Sequence, residues 1–121
     1  MKTWPTISGA LADYVDANWL REGPLKRRLR EETGKMRQSG MQMSSHQGQQ
    51  MALLARTIGA RRAVEVGTFT GYSALCVAEA LGPEGKLWCC DVSEEWTAVG
   101  RRYWKEAGLE SRIETPTTSA A

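Results

Sequence analysis

The chain has 121 residues, with 16 Lys and Arg set against 14 Asp and Glu for a formal net charge of +2. That length allows one domain at most, and so even a balance argues against the clustered basic surface of a nucleic-acid partner. No apolar run approaches the roughly 18 residues of a membrane span, and Met1-Lys2-Thr3-Trp4-Pro5 lacks the apolar core of a signal peptide, so a cytoplasmic chain with no membrane partner is expected.

From Ser8 to Leu20 the apolar residues Leu11, Tyr14, Val15 and Trp19 recur at helical spacing, with Asp13 and Asp16 turned to water. Gly23-Pro24 interrupts this helix. A basic segment follows, Leu25-Lys26-Arg27-Arg28-Leu29-Arg30, but Glu31 and Glu32 directly after it and the spacing of its leucines favour a solvated amphipathic helix. Residues 33–40 are polar and glycine-punctuated and read as a mobile loop.

Ser44 with Gln47 three residues on matches a capping box. The helix it starts would bury Met51, Leu54, Ala55 and Ile58 and stop at Gly59. His46, the sole histidine, falls in its first turn and is expected at the surface. Ala63-Val64-Glu65-Val66 is a short buried strand, Gly67 to Gly71 a glycine-bracketed turn, and Ser73 to Leu81 a helix ended by Gly82-Pro83. Lys86 to Asp91 reads as a second strand, buried, like the first, on both faces of a parallel sheet. A helix from Ser93 to Ala107 carries Trp96, Val99, Tyr103 and Trp104 at core spacing, and Arg112-Ile113-Glu114-Thr115 starts a third strand. Residues 116–121 look frayed. The 3 cysteines, with Cys89 and Cys90 adjacent, suit reduced buried thiols better than disulfides or a zinc site.

Strand, glycine turn, helix, then a strand ending in an acid describes half of a doubly wound α/β fold, in which cofactors bind outside the carboxyl ends of the strands. Asp91 lies about 20 residues past the turn, where such sites present a carboxylate to ribose hydroxyls. A dinucleotide needs a G-x-G-x-x-G turn facing its pyrophosphate. Here Phe69 stands where the second glycine would admit the phosphate, and Glu65 would place a like charge beside it. The methionine end of S-adenosylmethionine carries an ammonium and a sulfonium, which Glu65 favours, and a carboxylate suited to the Ser73 hydroxyl and the helix amino end. The charges therefore favour S-adenosylmethionine over a dinucleotide, with a turn that merely tightens strand-to-helix packing as the remaining alternative.

Three stretches carry a more specific signal: Met41-Gln42-Met43-Ser44-Ser45-His46-Gln47-Gly48-Gln49, the run Gly59 to Leu75 around Val64-Glu65-Val66-Gly67-Thr68-Phe69-Thr70-Gly71-Tyr72-Ser73, and Tyr103-Trp104-Lys105-Glu106-Ala107-Gly108 beyond Asp91. Together, in order and at unbroken spacing over residues 41–114, they resemble the small cation-dependent O-methyltransferases of the caffeoyl-CoA and catechol type. The resemblance implies an α/β, Rossmann-like S-adenosylmethionine-dependent methyltransferase fold, of which this chain carries the N-terminal half. Residues 1–40 would be variable N-terminal helices and a loop, and residues 41–121 the cofactor-binding half.

By position in similar enzymes, Met43 contacts the cofactor, Glu65, Gly67 and Thr68 line it, Ser73 holds its methionine carboxylate and Asp91 takes its ribose hydroxyls. Ala120 falls where a backbone contact to the adenine end occurs, although residues 115–121 depart from the family pattern. The implied activity is methyl transfer to a phenolic or catechol-type hydroxyl, with a small phenolic substrate as partner and a homodimer allowed. The alternative is a non-catalytic S-adenosylmethionine-binding or interaction fragment. Full-length relatives use a divalent cation such as Mg²⁺, but its ligands, the catalytic base and most of the acceptor pocket belong to a part about as long again. A truncated or frame-interrupted chain of marginal stability is therefore expected, with one edge of the central strand exposed as a template for association.

Overall fold

β1 (Arg62–Val66), β2 (Lys86–Cys90) and β3 (Ile113–Glu114) form a parallel sheet in that order, and the computed structural model that contains them describes residues 8–116. Ala63 stands opposite Leu87, Val64 opposite Trp88, and Leu87 opposite Ile113. Because side chains alternate between faces, Ala63, Glu65, Leu87, Cys89 and Ile113 share one face, and Val64, Val66, Trp88 and Cys90 share the other. Parallel neighbours need a crossover. Helix α4 (Tyr72–Ala80) supplies it between β1 and β2, and α5 (Glu94–Glu106) between β2 and β3. Three further helices precede the sheet: α1 (Gly9–Asn18), α2 (Pro24–Gly34) and α3 (Ser45–Thr57).

The core lies on one side of the sheet. Ala74, Leu75 and Ala78 of α4, Leu87 and Cys89 of β2, Tyr103 and Trp104 of α5 and Leu29 of α2 form one buried cluster. The apolar run of β1 predicts a strand buried on both faces; in the structure Val64 is 68% and Val66 86% exposed. The physical reason is handedness. Both crossovers step the same way across the sheet, so right-handed connections put α4 and α5 on the same face and leave the other uncovered.

Capping follows the sequence closely. Ser44 accepts from the Gln47 amide at 3.2 Å and Ser93 from the Trp96 amide at 3.2 Å, each satisfying a donor left over at a helix start. The buried faces of the early helices do not. Helix α1 buries none of its residues, with Leu11 and Tyr14 exposed. Helix α3 buries Gly48 and Ala52 rather than the expected stripe, and exposes Leu54 and Ile58. Close helix packing explains this: a Cβ on Gly48 would sit 2.9 Å from Tyr72 and from the Cys76 sulfur.

The expected loop at residues 33–40 also begins later. Helix α2 runs on to Gly34, and Thr33 is fully buried, its hydroxyl 2.7 Å from that of Thr70. A short 3-10 turn, Ser39–Met41, completes the connection. His46 is more enclosed than a surface residue. Its ring pairs with Asp16 and stacks on Trp19 at 6.3 Å, joining α1 to α3. The basic segment is spent in ion pairs, among them Arg28 with Glu106 and Lys26 with Glu79 at 2.7 Å. Burial pushes the Cys76 thiol up to about 11 and Cys89 to about 12, which keeps both as inert thiols.

Candidate cofactor site

The turn after β1 combines three residues of positive φ: Gly67 at 83°, Phe69 at 51° and Gly71 at 83°. Gly67 prolongs the ladder, its amide donating to the Cys90 carbonyl at 2.8 Å. Gly71 caps α4 and meets α5, its carbonyl accepting from the Trp104 indole at 3.1 Å. Phe69 is the unexpected member, since a bulky residue in the left-handed region is strained. Two contacts hold it there. Its ring meets Trp96 edge-on at 5.1 Å, and its amide donates to Asp91.

Asp91 fastens the turn from the end of β2. Its Oδ2 accepts from the Thr68 and Phe69 amides, each at 2.7 Å, and its Oδ1 from the Ser93 amide at 3.0 Å. Partial burial raises its pKa, but the backbone amides of Ser93, Phe69, Thr68 and Val92 outweigh this and hold the carboxyl below its ordinary value. Glu65 has the opposite balance. Burial pushes its pKa up against the pull of the Ser73 and Thr68 side chains, and the charge of Asp91 adds to the rise. Its Oε2 accepts from the Ser73 hydroxyl at 2.6 Å, while Oε1 is buried and receives no hydrogen bond of standard geometry. A buried carboxylate held only by neutral hydroxyl donors suits a cationic hydrogen-bond donor.

Met43 joins Gly67, Thr68 and Ser73 around a cavity of about 110 Å³ between residues 41–43 and residues 67–73. That is well below the roughly 300 Å³ at which enclosed ligand pockets begin, so the corner admits one end of a ligand. Asp91 opens onto a separate cavity of about 110 Å³ with Thr97 and Thr115. A roomier hollow of about 390 Å³ between Trp19, Gln49 and Cys76 touches none of the expected site residues, so size alone does not select the site. Ala120 lies outside the described residues. Among the described residues no group of three or more His, Cys, Asp or Glu is placed to hold a metal ion.

A second set of residues, absent from the sequence expectations, braces this corner. Tyr72 donates to Glu22 at 2.6 Å, and Arg30 grips the same carboxylate with Nε at 2.9 Å and a terminal nitrogen at 2.8 Å. Burial raises the Glu22 carboxyl, yet the bonds from Arg30 and Tyr72 prevail and its pKa is lowered. Burial first, then Glu22, pushes the Tyr72 hydroxyl far above its ordinary value. The partner is 50 residues away in the chain, and nothing local announces it. Tyr72→Phe keeps the ring and deletes the donor, leaving Arg30 as counter-charge. We expect a stability loss of about 1–2 kcal/mol, read as a lower urea midpoint at unchanged m-value; an unmoved midpoint rejects the brace.

Fold and turn together define half of a doubly wound α/β domain, with a glycine turn after its first strand of the kind at which such folds hold ligands. A model of the O-methyltransferase family matches residues 17–121, and the chain belongs to that family. It is 40% identical over 110 residues to catechol O-methyltransferase domain-containing protein 1 of Mus musculus, covering 91% of this chain and 42% of that protein. It is 36% identical over 109 residues to caffeoyl-CoA O-methyltransferase 2 of Petunia hybrida, covering 88% of this chain and 45% of that protein. Among solved structures, the O-methyltransferase from Bacillus cereus in complex with SAH superposes with a TM-score of 0.79 at 25% identity, over 88% of this chain and 48% of that one. The O-methyltransferase TomG from Streptomyces achromogenes, in complex with SAM, gives 0.77 at 27% identity over the same shares, 88% and 48%. The chain thus spans less than half the length of these relatives.

Proposed function

We propose that this chain provides the S-adenosylmethionine-binding half of an O-methyltransferase acting on phenolic or catechol-type hydroxyls. The observation that carries the proposal is the buried Glu65 carboxylate at the end of β1, bonded to Ser73 beside the amino end of α4 and offset by no cationic side chain among its hydrogen-bond partners. When bound, the cofactor supplies a methyl group on a positively charged sulfur. Glu65 would accept from its ammonium, and Ser73 with the amino end of α4 would hold its carboxylate. Gly67 and Thr68 line the methionine end, with Met43 packing across it. Asp91 takes the ribose hydroxyls with whatever acceptor capacity its bonds to the turn leave, and Ala120 belongs to the adenine end. In this reading the helices and loop before residue 41 are the variable N-terminal part, and residues 41–121 are the cofactor half. A cytoplasmic setting suits the free thiols.

Mg²⁺ belongs only to the reading as a full-length enzyme. The absence of a metal-binding cluster among the described residues favours a second reading, a non-catalytic S-adenosylmethionine-binding or interaction fragment. Methyl transfer to a catechol with and without added Mg²⁺ separates the two. The size of the particle in solution decides whether the homodimer allowed by the sequence forms.

Calorimetric titration tests the site itself. We expect S-adenosylmethionine and S-adenosylhomocysteine to bind and NAD not to. Glu65→Gln and Ser73→Ala should each weaken S-adenosylmethionine by about tenfold or more, the scale of one hydrogen bond to a charged group. Since an ammonium prefers the ionised carboxyl and the Glu65 pKa is raised, affinity should fall as pH drops through that pKa, and Glu65→Gln should flatten the dependence. Equal binding of NAD, or unchanged affinity in both variants, rejects the assignment.

A further inference from the structure

A hollow of about 390 Å³ lies where the connection between α1 and α2 meets α3 and α4, inside the roughly 300–1,000 Å³ range of small-molecule sites. Its walls follow from helical spacing. Gln49, Ala52, Leu53 and Arg56 recur at three and four residues, so α3 turns one face to the hollow, and Cys76 with Glu79 does the same from α4. Gln49 fixes the third wall. Its amide nitrogen donates to the Trp19 carbonyl and its oxygen accepts from the Arg21 amide, both at 2.7 Å. His46 stacks on Trp19 and pairs with Asp16, so this wall is fastened to α3 at two points.

The charges around the hollow do not cancel. Five charged residues line it: Arg21, Glu22, Lys26, Arg56 and Glu79. Both carboxylates are already engaged. Glu22 holds Arg30 at 2.8 Å and Tyr72 at 2.6 Å, and Glu79 holds Lys26 at 2.7 Å. The guanidinium groups of Arg21 and Arg56 form no ion pair among the described residues. The Cys76 thiol, kept neutral by burial, adds no negative charge. The last turn of α3 favours a cation at Arg56 in its own right, but no such reason places Arg21 at the same hollow. The remaining surface is largely apolar, with Trp19 and Leu53 as walls and the buried Ala52 between them and α4.

We propose that this hollow is a second ligand site, one that takes a small carboxylate carried on a flat apolar body. Arg21 and Arg56 donate to the carboxylate, whose two oxygens match the fork of a guanidinium. Trp19, Ala52 and Leu53 cover the body, the indole offering an aromatic surface to a ring. Inorganic phosphate would meet the same guanidinium groups but would lose water against the apolar walls without return. The hollow shares no lining residue with the corner around Thr68 and Ser73, so the proposal does not rest on the cofactor assignment.

The test titrates the full chain with 1-naphthoate, 1-naphthylmethanol, 1-naphthylmethylamine and inorganic phosphate by calorimetry at low salt. We expect saturable one-to-one binding of 1-naphthoate, at least about tenfold tighter than the alcohol, the amine or phosphate. Arg21→Gln and Arg56→Gln should each weaken 1-naphthoate by about tenfold or more. Because neither side chain is in an ion pair among the described residues, both variants should keep the circular dichroism and melting midpoint of the parent. Arg61→Gln, exposed just before β1 and outside the hollow, should leave the affinity unchanged. Absence of saturable binding, equal binding of the alcohol, tighter binding of phosphate, or an affinity unmoved in both variants overturns the proposal. Titration of the same variants with S-adenosylmethionine is a separate reading, so failure of this site and failure of the cofactor site are distinguishable.

Discussion

Gly71→Ala should lower stability by about 2–5 kcal/mol, while Gly67→Ala, four residues earlier in the same turn, should cost about 1–2 kcal/mol. Both glycines have φ of 83°, and a left-handed L-residue costs about 1–2 kcal/mol. The surroundings differ. A Cβ on Gly67 meets nothing within 4 Å, whereas a Cβ on Gly71 would lie 2.5 Å from the Trp104 ring. Trp104 is 2% exposed and bonded through its indole to the Gly71 carbonyl, so it has nowhere to go, and overpacking of this kind adds about 1–3 kcal/mol. Small domains hold about 5–15 kcal/mol in all, and one bare sheet face places this chain toward the low end. Thermal melts followed by tryptophan fluorescence should show Gly71→Ala unfolded or melting more than about 10 °C lower, with Gly67→Ala lowered by only about 4–8 °C. Equal effects would mean that the turn conformation, and not the docking of α5 on it, sets the cost.

The contrast between these glycines also marks what could be read from the chain. The positions of the turn, its two glycines, the caps at Ser44 and Ser93 and the stops at Gly59 and Gly82 are local matters of φ and of donors at helix ends, and the structure has them where the residues indicate. Which glycine bears on packing depends on a tryptophan 33 residues away, and no window of sequence contains it. The same limit explains α3. Its hydrophobic stripe predicts Leu54 and Ile58 inside, but α4 approaches so closely that only Gly48 and Ala52 fit between the two helices, and the large residues are left facing outward. Thr33 reads as a loop residue by composition, yet it is buried because the Thr70 hydroxyl meets it from the turn. Of the expected site residues, Glu65 with Ser73 and Thr68 with Asp91 are hydrogen-bonded pairs. The second pairing shows Asp91 engaged by the turn itself, which its spacing alone could not reveal.

That engagement makes Asp91 the residue whose loss should be felt most widely. Asp91→Ala removes the acceptor of three backbone amides, those of Thr68, Phe69 and Ser93. Hydrogen bonds to a charged group are worth about 1.5–3 kcal/mol each, and water replaces part of this at a half-buried site, so a total loss of about 3 kcal/mol is expected. Phe69 should then leave its strained conformation, and S-adenosylmethionine affinity should fall at least about tenfold even before any ribose contact is counted. The pH dependence has a definite sign. A carboxyl whose folded pKa is lowered contributes stability above its unfolded pKa, near 3.9 for aspartate, and loses it as pH falls through the folded value. Asp91 and Glu22 are both of this kind; Glu65, with its raised pKa, has the opposite sign and favours the fold in acid. The parent should therefore weaken below about pH 4, and Asp91→Ala should weaken less steeply there from a lower starting point. Asp91→Asn separates the two roles of the residue, because an amide can turn its oxygen to the Thr68 and Phe69 amides but cannot also accept from Ser93. If Asp91 only latches the turn, the asparagine should recover much of both stability and binding. If it also takes the ribose hydroxyls, stability should recover while affinity stays low. A variant that keeps full stability and full affinity as alanine would remove Asp91 from the site altogether.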